Sequence, residues 1–203
     1  MRLRFVAGLL LALCGWSEVS LAADPRYPDW PCPQAKVPEV SLAAVWAGPP
    51  LDDVAGKWKD DPKVSPLVAR LAARRTPLDE AETAIKEFLA GSTDKATNGK
   101  ILFAGLFDTL NAQRASVMAG LERVTRKQRE AADKVRSDTI ALQALQDDPS
   151  HDQAKLDELS NQLIWETRIF EDRHRVIKFV CEVPTAIDQR LFALGRAIQQ
   201  EME

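Results

Sequence analysis

From Lys100 to Gln146 the chain contains no proline, and its only glycines there are Gly105 and Gly120. Such a stretch is predicted to form one helix of about 47 residues, roughly 70 Å long at 1.5 Å per residue. The root of that helix has enough apolar neighbours for a compact base, and the rest is expected to project as an arm on the order of 50 Å. Apolar residues recur along it at seven-residue intervals. Phe103, Leu110, Val117, Val124, Ala131 and Leu145 make one row, and Phe107, Leu121, Val135 and Leu142 the next. The spacing marks a coiled-coil seam, interrupted at Arg114, Gln128 and Asp138.

Asp147-Asp148-Pro149-Ser150 reads as a turn, and a second helix is expected from 151 to about 183. Two long helices joined by so short a turn lie antiparallel. Folding there pairs residues whose numbers sum to about 297. Val117 then meets Val180, Leu121 meets Ile177, Gln128 meets Phe170, Val135 meets Leu163 and Leu142 meets Leu156. The middle layers are poorer, with Val124 beside Arg173 and Ala131 beside Glu166.

Shorter helices are predicted over 64–74 and 77–90, the second opened by Thr76, Pro77 and Asp79 and stopped at Gly91. A polar loop follows at 92–99. Pro184 is expected to break or kink the second long helix, and Ile187, Leu191, Leu194 and Ile198 carry a final amphipathic helix over 185–202. Residues 23–62 differ in kind, holding eight prolines together with Tyr27, Trp30, Trp46 and Trp58. Proline removes backbone donors, while the aromatics need burial, so this segment is predicted to run as an extended strap across helices supplied by the rest. The expected fold is all-α: a small helical base, a long coiled-coil-like hairpin arm, the strap, and no sheet.

The first 22 residues have the order of a secretory signal: Arg2 and Arg4, an apolar run from Phe5 to Leu13, then small residues ending at Ala22. About nine apolar residues fall short of the roughly 20 needed to span a bilayer, so cleavage after Ala22 and a periplasmic or secreted mature chain are expected. Leu13 before Cys14 does not suit lipid attachment at that cysteine. Cleavage takes two of 27 basic and one of 30 acidic residues, leaving a net charge of about −4, which offers no global reason to bind nucleic acid. Beyond the signal no stretch is long and apolar enough to span a membrane. Cys32 and Cys181, at opposite ends of a chain in an oxidising compartment, are expected to pair.

Catalytic chemistry finds little to work with. The two histidines, His151 and His174, stand in separate contexts, and neither a nucleophile with a base nor a haem-attachment, phosphate-loop or metal-protease motif occurs. A single Glu171-x-x-His174 step is half of what a di-iron helix pair requires. No enzyme activity, cofactor or metal is therefore expected. Charge is more informative, because residues 114–136 carry a net +4 and residues 138–160 a net −5. Arg123, Arg126, Lys127, Arg129, Lys134 and Arg136 form the candidate interaction surface, facing a protein partner, a second copy of the chain or an anionic envelope surface. The leading expectation is a non-enzymatic scaffold or interaction protein acting through the arm. The rival is a carrier of a small ligand or metal, with a pocket beneath Trp30, Trp46 and Trp58.

Overall fold

A computed structural model describes residues 24–203; the expected signal segment lies outside them. Six α-helices follow in order: α1 (Leu42–Val45), α2 (Val64–Ala72), α3 (Leu78–Ala90), α4 (Lys95–Asp147), α5 (Gln153–Val180) and α6 (Val183–Met202). Two 3-10 turns, Asp52–Val54 and Lys57–Lys59, lie between α1 and α2. No strand occurs among the described residues, so the fold is all-α.

Local chemistry explains where the boundaries depart from expectation. α4 begins at Lys95, inside the stretch read as a loop, because the Asp94 carboxylate accepts the Thr97 N–H at 2.9 Å and caps the first turn. Thr76 does not cap α3; its hydroxyl donates to the Arg70 carbonyl at 2.8 Å, closing α2 instead. The long second helix ends at Val180, and Pro184 sits in the first turn of α6, where a missing N–H costs nothing.

The N-terminal part of α4 packs with α2, α3 and α6 to make the base. Leu71, Ile85, Leu102, Phe103, Leu191 and Leu194 are fully buried there, each worth about 1.5–3 kcal/mol relative to exposure. The strap closes this core. Trp46 stacks on Phe103 at 4.2 Å between ring centroids and donates its indole N–H to the Pro49 carbonyl at 2.8 Å. Two glycines admit it. A Cβ at Gly195 would stand 2.6 Å from the Val45 carbonyl oxygen, and one at Gly105 would stand 2.9 Å from Trp58 Cγ.

Arg114, read from the sequence as a flaw in the seam, is a junction. It is 5% exposed, lies 2.8 Å from the Asp188 carboxylate of α6 and donates to the Val37 carbonyl of the strap at 2.7 Å. Burial nonetheless raises the Asp188 carboxyl above its usual range, Arg114 opposing that in part.

Beyond the base, α4 and α5 run as the antiparallel arm. Its register agrees closely with the sequence reading at Gln128, whose amide donates to the Phe170 carbonyl at 3.0 Å. Of the two predicted α4 rows, the one through Leu121, Gln128, Val135 and Leu142 stays inward along the arm, whereas in the other Val117 and Ala131 are half-buried and Val124 is 39% exposed. A straight α-helix drifts about 20° per heptad against a strict seven-residue repeat, so the row that faces the base turns partly outward in the arm, at Val124. Glu166, expected beside Ala131, instead pairs with Lys134 at 2.7 Å.

Candidate functional site

The two faces of the arm have different chemistry, and the strap makes the difference. On one face the sulfurs of Cys32 and Cys181 are 2.08 Å apart, joining the strap to the residue that follows α5. Around this link Trp30, Val117, Leu121 and Ile177 form a small satellite cluster. Asp29 receives Arg126 at 2.7 Å and Arg129 beside it, and Lys36 meets Glu122 at 2.5 Å. The hydrogen bond from Arg126, then that from Arg129, hold the Asp29 carboxyl below its ordinary value.

These ties divide the predicted basic surface. Arg126 and Arg129 are spent on the strap, Lys134 on Asp138 and Glu166, and Arg136 on Asp133 at 3.0 Å. Of the six residues, Arg123 and Lys127 meet no carboxylate within ion-pair distance among the described residues. Both are exposed, and Arg123 lines a groove on the side away from the strap.

On that other side lies the feature the sequence reading missed. No residue of α5 is fully buried. Its inner row, Leu156, Leu163, Phe170 and Ile177, leans on α4, yet a second apolar row faces water: Trp165 is 63% exposed, Ile169 44%, Val176 57% and Phe179 73%. Positions 165, 169, 172, 176 and 179 step by four and three residues, which keeps them on one helical edge. Asp172, within the row, is paired with Arg175. Beside the row a groove of about 580 Å³ runs between α4 and α5, with Gly120, Val124, Val176 and Val180 in its walls and Arg123 and Arg173 at its edges. The signal was available in the spacing of Trp165, Ile169, Val176 and Phe179; assigning α5 a single seam hid it.

A second groove, of about 650 Å³, lies on the strap face between Pro31, Pro33, Gln128 and Phe170, with His174 and Lys178 at its rim. Gln128 is buried, and its amide oxygen has no hydrogen-bond partner among the described residues. This groove is displaced from Trp46 and Trp58, the first stacked on Phe103 and the second donating to Asp108 at 3.0 Å.

At the tip the acidic residues serve the turn. Asp152 caps α5 through the Ala154 N–H and Asp148 accepts from Ser150. His151 approaches the Asp148 carbonyl at 2.7 Å, a contact that raises its imidazole above the ordinary value. Among the described residues no three His, Cys, Asp or Glu side chains gather into a metal-binding group, and no helix is long and apolar enough to cross a membrane. The chain matches no family model, no curated protein and no solved structure.

Proposed function

We propose that this chain is a non-enzymatic, extracytoplasmic interaction protein whose hairpin arm docks a partner through the outer edge of α5. The observation that carries this reading is the solvent-facing row of Trp165, Ile169, Val176 and Phe179 on a helix with no buried residue. Large apolar side chains scattered singly need no explanation, but an exposed apolar patch larger than a few hundred Å² often marks an interaction site. The extracytoplasmic part of the reading is supported by the cysteine pair at bonding distance, which suits an oxidising compartment, and by the signal-like order of the first 22 residues.

Replacing Trp165, Ile169, Val176 and Phe179 together by serine tests the proposal. Because all four side chains are largely exposed, the change in stability should be about 2 kcal/mol or less, roughly 0.5 per site. The native protein should migrate in envelope extract as a larger species and the variant as free protein. Identical migration of the two, both assembled, would remove the outer edge of α5 as the docking site.

A second reading keeps a specific observation of its own. The groove beside Pro31 and Pro33, with the buried and unpartnered Gln128 oxygen, suits a small amphiphile carrying an N–H or O–H donor. Such a carrier would retain that molecule through purification, and native mass spectrometry of protein from its own envelope would reveal it.

A further inference from the structure

We propose that the partner presents an amphipathic α-helix whose apolar face is flanked by acidic side chains, laid along α5 and into the groove that α5 shares with α4. This identification rests on the docking role proposed above.

Three observations specify the partner's chemistry. The alternating steps of four and three between positions 165 and 179 are those of a helix seam, and they extend over about 21 Å, roughly two heptads of a facing helix. The adjoining groove, opened by the missing side chain at Gly120 and walled by Val124, Val176 and Val180, receives apolar side chains from that same helix. Around row and groove stand Arg123, Lys127, Arg168 and Arg173, all exposed and none within ion-pair distance of a carboxylate among the described residues. Asp29 of the strap neutralises Arg126 and Arg129, whereas these four cations have no such partner. An occupant that brings carboxylates along both borders of an apolar strip completes it.

Two other occupants fit less well. A bilayer surface would welcome the aromatic residues and the basic rim, but Asp172 lies in the middle of the row and its carboxylate would have to enter the apolar layer. In a helix seam one polar layer is tolerated and sets the register. A second copy of this chain, laid antiparallel on the same edge, would bring Arg168, Arg173 and Arg175 against their own counterparts. The copy's acidic tip offers charge without an apolar row, since the positions that continue the row toward it are Glu158 and Gln162.

The test uses the mature protein with its disulfide intact and two designed helical peptides of about three heptads. Both carry leucine and isoleucine at the seam positions; one is flanked by glutamate and the other by lysine. In an NMR titration at low salt the glutamate peptide should shift amides of 165–180 and 120–127. It should bind about tenfold more tightly than the lysine peptide, the discrimination expected of several exposed ion pairs. Arg168→Glu combined with Arg173→Glu, at exposed positions that do not bear on folding, should invert the preference. Equal binding of the two peptides, or no response to either, overturns the proposal. So does protection of the row by phosphatidylglycerol vesicles in place of the peptides, or by self-association seen in sedimentation. In those cases envelope extract distinguishes the levels: if it still protects the row, only the helical acidic partner is lost, and if it does not, the docking role falls as well.

Discussion

Replacing Phe103 by alanine is expected to cost about 3–5 kcal/mol of stability and to lower the melting temperature by on the order of 10 °C. Phe103 is fully buried, with Trp46 of the strap stacked 4.2 Å away and the bare Gly195 of α6 pressed against its ring edge. The cavity left by alanine would resist collapse. Trp46 is held by its bond to Pro49, and α6 is held at the same height by the close approach of Gly195 to the Val45 carbonyl. Phe107, half-buried on the neighbouring turn, should cost clearly less and serves as the comparison. Urea unfolding of both variants measures the difference. A loss at Phe103 below about 1.5 kcal/mol would mean that the strap relaxes into the space and is softer than its contacts imply.

Removing the Cys32–Cys181 link, by reduction or by alanine at both positions, is expected to lower stability by up to about 5 kcal/mol. The link closes a separation of 149 residues, and the entropy withdrawn from the unfolded chain grows with that length. The second tie of the strap should then become sensitive to acid. Arg126 holds the Asp29 carboxyl below its ordinary value, so the stabilisation from this pair is fully present above the unfolded carboxylate value of about 3.9 and disappears as pH falls through the lower folded value. Limited proteolysis of residues 26–36 should therefore be slow in the oxidised protein. It should be faster after reduction, and fastest in reduced protein below about pH 4. Cleavage unaffected by reduction would show that the strap is held by its contacts alone.

Much of this fold is written in local chemistry. The proline-free run of α4, the Asp-Asp-Pro-Ser turn and the proline-rich strap each act over a few residues, and by themselves they specify the hairpin, its antiparallel sense and the extended segment. The cysteine pair was legible because only two cysteines follow the signal-like segment. The features that sequence patterns did not reveal depend on partners distant in the chain. Arg114 looks like a defect until the strap carbonyl at Val37 and the Asp188 carboxylate are placed around it. Arg126 and Arg129 look like free surface until Asp29, about 100 residues earlier, comes to rest on them. The drift of an α-helix against a seven-residue count moved the seam off Val124. The outer row of α5 was missed for another reason: a helix was assumed to have one apolar face, and this helix has two.

Hydrogen exchange over residues 160–180 of the oxidised protein, with and without envelope extract, tests the proposed docking role of the arm most directly. α5 buries no residue fully, and long helices owe most of their stability to packing, so these amides should exchange readily in the isolated protein. Extract should slow them markedly while leaving the tip at 147–152 unchanged, and added salt should weaken the protection in step with screening of the basic rim. Amides already fully protected in the isolated monomer, and unchanged by extract, would contradict the account and make the arm a self-sufficient spacer.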